Sequence, residues 1–544
     1  MSATTNGQTR RDMAAIIAAS RNGQAWPWLA LALATHVAFR LALLWAQAVP
    51  FNSDEAVVAL MARHILQGER PIFFYGQAYM GSLDAWLVAG AFRLLGESVF
   101  AVRAVQIALY GGFIASAWIM ARRWFTDTRV AVCAVWLAAL PPVLVTTYTT
   151  ASLGGYGESL LFGNLILWLG WEVTHGGRAR SLGHWLAVGL IGGLAFWTLG
   201  LAGVFLLPVG LIGLARFQWK RWPHYLGAAL AFGVGSAPWW WHNLNHDWSG
   251  LLTLLGVEVG GIATRVLSPV DRVFGFALLG VPAVLGLRPP WSVEYLPWPM
   301  LLVMVMGYTL VAACHLWGVR RGQPAMAPGV RWLLWLLPLA LTALLIGTRF
   351  GTDSTGRYFL PLFIIVLLAA ASALATARPA LGALGLLVFL SVNVFGNVRA
   401  AQSPDRLTTQ FDPITRWDNE HDAEVMDFLV ANQLTRGYSN YWVSFRLAFL
   451  SREAIQYSAA LPYKLDLSYN PADNRYLPYA RATETAGRVA YITTLHPALN
   501  ERLRAAFAAQ GVTFREKLIG PYTVFYDLSR VVRPEELFGD SAFR

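Results

Sequence analysis

The chain has 544 residues, 56% of them hydrophobic and only 13% charged, with a net charge of +11. Soluble proteins carry about 25% charged residues, so a wholly soluble chain is excluded. The basic excess is nearly all arginine, with Lys220, Lys464 and Lys517 the only lysines. Scattered among short loops, it points to membrane topology and anionic lipid, not to nucleic acid.

Residues 1–25 read as a cytosolic tail. Arg10 and Arg11 are followed by Asp12, and no apolar run with a small-residue cleavage site comes next, so a cleavable signal is not expected. Residues 26–400 hold recurrent apolar runs of the roughly 20 residues a bilayer span needs. They place spans near 26–48, 99–120, 130–148, 158–175, 182–199, 201–217, 223–241, 297–318, 330–348, 357–377 and 380–398. The ambiguous run 273–287 is read as part of a long outer loop, 242–296, as an interfacial or re-entrant piece. With about eleven spans, the clusters Arg10/Arg11/Arg21, Arg122/Arg123/Arg129, Arg178/Arg180, Arg216/Lys220/Arg221 and Arg320/Arg321 all fall on the cytosolic side. The expected fold is therefore a polytopic α-helical membrane protein with its N-terminus inside. Cys133 and Cys314 lie in apolar runs and offer neither zinc spacing nor a disulfide pattern. No internal repeat of the transporter kind is visible.

Between the first two expected spans lies a first outer loop, 52–98, far longer than the usual helix–helix connection of about 2–8 residues. It opens on "FNSDEAVVALMARHIL". Asn52, Ser53 or Asp54 can cap a helix start, where acids suit the helix dipole. The segment reads as two amphipathic interfacial helices, near Glu55–Gln67 and Leu83–Leu95. Gly68, Pro71, Gly76 and Gly81 between them are turn chemistry. His64 is expected to pack on the first helix. On the same outer side this topology gathers Tyr148–Glu158, His242–Arg272 and Arg349–Tyr358.

The stretch "NSDEAVVALMARHILQGERPIFFYGQAYMGSLDAWLVA", followed much later by "GRYFLPL", resembles the GT-C superfamily of membrane glycosyltransferases. Within it the likeness is to the protein O-mannosyltransferase and lipid A aminoarabinose-transferase branch. The likeness covers the topology of residues 26–398. At motif level it rests on the first outer loop and, more weakly, on the Arg-Tyr pair. It implies a polyprenyl-phosphate-linked sugar as donor and a lipid, glycan or protein acceptor met at the outer face of a bacterial-type inner membrane. It implies Asp54 as catalytic base, with Glu55 completing a paired acid, and Arg357 and Tyr358 near the donor phosphate.

The chemistry fits those roles. A sugar hydroxyl is a poor nucleophile until a positioned base takes its proton. A departing phosphate is stabilised by a nearby guanidinium. Tyr79 and Gln77 are candidates for the sugar pocket, with interfacial anchoring as the plainer role. Asp84 and Glu158 are further substrate-binding candidates, with helix capping as the alternative. Arg103 and Arg349 could serve the phosphate or anchor span ends. His242 and His246 have a spacing that metal ligands use, but the Trp- and Asn-rich surroundings "WWWHNLNHDWSG" read as an irregular loop. The sequence assigns no cofactor; a phosphate leaving group needs no metal to activate it, though a divalent metal could assist. A nucleotide-binding G-x-x-x-x-G-K-[ST] is absent, as is any Asp-x-Asp of nucleotide-sugar enzymes. Two other readings stand beside the transferase: a transporter or flippase of a lipid-linked glycan, and an inactive GT-C scaffold.

Residues 401–544 change abruptly to a charged, Tyr-rich composition and are expected to form a soluble extracytoplasmic α/β domain. "DAEVMDFLVANQL" and "LNERLRAAFAAQG" read as helices, and "RVAYITTL", "GVTFREKLI" and "YTVFYDLS" as strands. "RGYSNYWVSFRLAFLS" suits carbohydrate stacking or core packing equally, and no catalytic residue is assigned in this domain.

Overall fold

The computed structural model describes residues 25–179, 181–254, 268–321 and 325–538. The expected cytosolic tail, Arg180, part of the 242–296 loop and the Arg349 side chain lie outside the described residues.

The chain begins with α1 (Trp26–Trp45) and α2 (Ser53–Leu66). A small hairpin follows, β1 (Phe73–Phe74) with β2 (Gln77–Gly81), and then α3 (Leu83–Leu95) and α4 (Val99–Trp124). The expected span 130–148 is broken into α5 (Thr128–Ala139) and α6 (Val143–Tyr148). Pro141 and Pro142 cause the break: they lack an amide proton and push the preceding residue out of helical geometry. Next come α7 (Tyr156–Thr174), α8 (Leu182–Thr198), α9 (Gly203–Ala215), α10 (Trp222–Gly235) and α11 (Ala237–Asn245). The region 273–287 holds short helical pieces, Pro269–Gly275, Phe276–Gly280 and Val281–Val284. The bundle ends with α12 (Trp298–Arg321), α13 (Val330–Gly347), α14 (Phe363–Thr376) and α15 (Pro379–Gln402). Six of these helical stretches, among the described residues, are long and apolar enough to cross a membrane: α1, α4, most of α12, α13, α14 with its leading turn, and α15.

After the bundle the chain folds into α16 (Asp422–Ala431), β3 (Arg436–Ser439), α17 (Tyr441–Leu450), β4 (Gln456–Ser458), α18 (Leu477–Glu484), β5 (Ala490–Thr494), α19 (Pro497–Ala509), β6 (Arg515–Ile519) and β7 (Tyr522–Tyr526). The sheet order is β4-β3-β5-β7-β6. The first three strands of that order are parallel, and β7 and β6 are antiparallel additions. Strands β5 and β7 are buried along their whole length, as their β-branched and aromatic content suits. The chain is thus a polytopic helical membrane protein with a C-terminal α/β domain.

Helix α2 differs from its expected form. An interfacial helix keeps one face in water, yet Ser53 and every residue from Glu55 to Ile65 are buried. The soluble domain covers the face that water would have taken. Asn52 caps the helix, its Oδ1 accepting from the amides of Asp54 at 2.9 Å and Glu55 at 3.2 Å. Toward the bundle, Arg103 grips Glu55 with two hydrogen bonds, Nε to Oε1 at 3.0 Å and Nη2 to Oε2 at 2.7 Å. Toward the soluble domain, Arg63 donates to the Phe449 carbonyl at 3.1 Å and to Glu453 at 3.2 Å. His64 meets the same Glu453 at 3.0 Å, and Tyr479 donates to it at 2.7 Å. At the helix start, Asn419 receives the Phe51 amide at 2.8 Å and donates to its carbonyl at 3.0 Å.

Glu55→Ala leaves the buried Arg103 without its counter-charge and should cost roughly 3–5 kcal/mol, read as a lower thermal midpoint in detergent. Burial alone would raise the Glu453 carboxyl, but hydrogen bonds from His64, Tyr479 and Arg63 outweigh it and hold it at about 2, below the ordinary 4.5. A depressed carboxyl stabilises the docked state fully above its unfolded value and loses that contribution as pH falls toward its folded one. Docking of the soluble domain should therefore weaken as pH drops below about 4.5 toward 2. Glu453→Gln should weaken it already at pH 7, by roughly 1–3 kcal/mol, and flatten the acid response in limited proteolysis.

Candidate active site

Because Asn52 and not Asp54 caps α2, the Asp54 side chain is released from the helix start. It lines a cavity of about 1170 Å³ between the membrane helices and the soluble domain. The membrane half supplies the β1–β2 hairpin, Tyr148, Tyr156 and Arg357; the soluble half supplies Tyr441, Trp442 and the segment from Tyr463 to Arg475. Gln77 and Tyr79, from the hairpin, are on the wall as well.

Asp54 is held from the soluble side. The Tyr441 hydroxyl donates to its Oδ1 at 2.5 Å. An Arg475 guanidinium nitrogen lies 3.7 Å from the same oxygen. That guanidinium stacks on the Tyr441 ring at 4.2 Å. Burial pushes the Tyr441 phenol well above its ordinary range; Arg475 opposes this and the Asp54 charge adds to it. The phenol therefore keeps its proton and acts as a donor. Nearby on the same wall, Asp473 is pushed up to about 6 by burial, against the pull of Arg475 and Lys464.

Arg357 reaches the cavity from the turn before α14, its side chain about one third exposed. Its Nε lies 2.8 Å from Asp353 Oδ2, an ion pair that holds the guanidinium in place. Tyr358 does not share that position. It is buried behind Arg357 and is not among the residues on the cavity wall. Its contact is with the arginine itself, the guanidinium carbon 5.0 Å from its ring. The expected Arg-Tyr pair thus reduces to one cation facing the cavity, because neighbouring residues on a helical turn point in different directions.

The same reasoning corrects the paired acid. Glu55 is fully buried on the far face of α2 in its Arg103 pair and does not line the cavity. Asp84 is also off the wall. It accepts from Gln106 at 3.0 Å, from the Ser152 hydroxyl at 2.7 Å and from the Gly154 amide at 3.1 Å. Glu158 is fully buried beside it. Asp84 anchors the turn before α7, where Gly155 takes φ +118°, a conformation closed to most side chains. Arg103, which could serve the phosphate or anchor a span end, is bound to Glu55.

His242 and His246 reach the wall from α11 and the residue just after it, a helix where a loop was expected. Their rings lie parallel, 4.1 Å apart with an interplanar angle of 5°. Nitrogens in two parallel planes do not converge on one ion. Among the described residues no three His, Cys, Asp or Glu side chains are placed to hold a metal.

Tyr441, Arg475, Lys464 and Asp473 were not singled out from the sequence. Tyr441 lies in "RGYSNYWVSFRLAFLS", whose aromatic content was noted, but no local pattern ties it to Asp54. The assembled cavity offers a partly exposed carboxylate, a tethered cation and an aromatic-rich wall. That set can take a proton from one group, stabilise an anion and stack on sugar rings.

The family model described as dolichyl-phosphate-mannose-protein mannosyltransferase matches residues 82–241. An undecaprenyl phosphate-alpha-4-amino-4-deoxy-L-arabinose arabinosyl transferase of Pseudomonas aeruginosa is 31% identical over 166 residues, and that of Pseudomonas paraeruginosa 32%. The match takes in 28% of this chain and 28% of each relative, so the chain spans little more than a quarter of the curated relatives it matches. Among solved structures, ArnT from Cupriavidus metallidurans bound to undecaprenyl phosphate aligns with a TM-score of 0.58 at 13% identity, over 93% of this chain and 99% of that one. The Archaeoglobus fulgidus oligosaccharyltransferase in complex with Zn and sulfate aligns at 0.50 and 13% identity, over 92% and 73%. At that identity these are likenesses of fold. The sequence matches cover less than a third of the chain, and with the likeness of fold they make it similar to membrane glycosyltransferases of the GT-C kind.

Proposed function

We propose that the chain is an inverting glycosyltransferase that moves a sugar from a polyprenyl-phosphate carrier to an acceptor hydroxyl. The observation that carries this reading is the placement of Asp54 and Arg357 on one cavity, at the end of the bundle where the soluble domain docks. Asp54 takes the proton of the acceptor hydroxyl as its oxygen attacks the anomeric carbon. The bond from that carbon to the phosphate oxygen breaks, and the electron pair leaves with the polyprenyl phosphate. Arg357 stabilises the charge that develops there. The lipid tail stays in the bilayer throughout, so the reactive carbon has to lie at the membrane boundary.

The relatives' names support the donor class, since they act on an undecaprenyl-phosphate-linked sugar and the ArnT structure binds undecaprenyl phosphate. The arginine clusters support a cytosolic N-terminus and an extracytoplasmic cavity in a bacterial inner membrane. Tyr79 and Gln77 are proposed to contact the sugar. The buried acids Glu55, Asp84 and Glu158 have no proposed chemical step.

Purified protein incubated with a panel of polyprenyl-phosphate sugars and envelope acceptors should consume one donor, followed by mass spectrometry. Asp54→Asn should lower turnover by about 10²–10⁴-fold with the thermal midpoint kept. Arg357→Ala should lower it by about 10²–10³-fold. Equal consumption by wild type and folded Asp54→Asn would remove Asp54 from the reaction. Movement of a lipid-linked glycan across vesicles without donor cleavage would favour a transporter.

A further inference from the structure

The soluble domain makes one contact with the cavity that its role as a cover does not explain. Tyr441 is 1% exposed, yet its hydroxyl is aimed at the one carboxylate proposed to act as base. Arg475 is fixed from both halves of the protein. Its guanidinium lies 4.2 Å from the Tyr441 ring and 5.2 Å from the Phe74 ring, which belongs to the membrane-side hairpin. Its stem lies against Gly76, at the tip of that hairpin. Gly76 has φ +72°, and a Cβ there would meet the Arg475 Cγ at 2.8 Å. The hairpin is therefore shaped for this arginine: a glycine supplies the turn and leaves the room. Both the Tyr441 bond and the nearer Arg475 nitrogen fall on the same Asp54 oxygen, Oδ1.

We propose that Tyr441 and Arg475 are positioning residues that lock the Asp54 carboxylate through Oδ1 and present Oδ2 to the acceptor hydroxyl. The proposal rests on the reading of Asp54 as base. A carboxylate on a short side chain rotates among several orientations, and only some aim an oxygen at the nucleophile. A charge-assisted hydrogen bond to one oxygen removes that freedom before the acceptor arrives. The proton then moves from the acceptor hydroxyl to Oδ2, the new glycosidic bond forms, and the phosphate departs with the electron pair. Tyr441 keeps its own proton throughout. The soluble domain thereby completes the reacting centre, and transfer requires it to be docked.

The test uses the full-length protein with its consumed donor. Tyr441→Phe keeps the ring, its packing and its stack with Arg475, and deletes only the hydroxyl. Its kcat should fall about 10–100-fold, with the donor KM within about 2-fold and the melting midpoint unchanged. Arg475→Met should lower kcat similarly, and Arg475→Lys should recover part of the loss. A packing role alone predicts wild-type kcat for Tyr441→Phe and would overturn the proposal. So would a rise in KM with kcat intact. If Tyr441→Phe does not fold, the Arg475 pair decides: equal kcat in Arg475→Met and wild type overturns the proposal. Asp54→Asn run in parallel separates the two levels. An inactive Asp54→Asn beside a fully active Tyr441→Phe keeps the base and removes the positioning pair, whereas an active Asp54→Asn removes both.

Discussion

The structure depends on a short helix that has no solvent face. Helix α2 is wedged between the bundle and the soluble domain, and its polar residues are paired on both sides. Glu55 turns to Arg103 in the bundle, while Arg63 and His64 turn to Glu453 in the soluble domain. A buried charge without a partner is strongly destabilising, so each of these contacts fixes the helix in rotation as well as position. Asp54 is then directed into the space between the two halves. A small rotation of α2 would exchange its carboxylate for an apolar neighbour.

Ser152 shows how the acids away from the cavity serve it. Its amide lies 3.4 Å from a Glu55 oxygen, and its hydroxyl donates to Asp84 at 2.7 Å. One residue thereby joins two buried carboxylates to the turn that leads into α7. That turn carries Leu153 and Tyr156 to the cavity wall. Arg40 does comparable work one layer deeper: it bonds the Thr146 carbonyl and the Thr149 and Thr150 hydroxyls, fixing the end of α6, from which Tyr148 reaches the cavity. The polar groups inside the bundle thus build the floor of the cavity.

Much of this was legible in the sequence. Apolar run length marked the six helical stretches, among the described residues, that are long and apolar enough to cross a membrane, and alternation with β-branched and aromatic residues marked β5, β6 and β7. Asp54, Gln77, Tyr79 and Arg357 all stand on the cavity wall. The failures have definite causes. Asp54 and Glu55 are neighbours in sequence, but successive side chains on a helix point about 100° apart, so only one can face a given space. Asp84 and Glu158 read as substrate-binding or capping residues from their places at helix starts, whereas Asp84 is buried against Gln106 and Ser152, which no local pattern announces. Helix α2 read as interfacial because its polar residues imply water, whereas their partners are charges contributed by the bundle and by a domain far along the chain. Periodicity reports a helix's own faces, not what will be laid against them.

The Tyr441–Asp54 contact joins residues 387 positions apart. During synthesis, Asp54 is made long before its partner Tyr441, with Arg475 later still. The membrane helices can therefore be inserted and packed while the cavity is still missing one wall. Loop closure over such a distance is a late and slow event in folding. A nascent or truncated chain would hold Asp54 in an open groove without its clamp. Docking of the C-terminal domain thus supplies the last wall of the cavity, and the order in which the polypeptide is made places that step after the membrane helices have been formed.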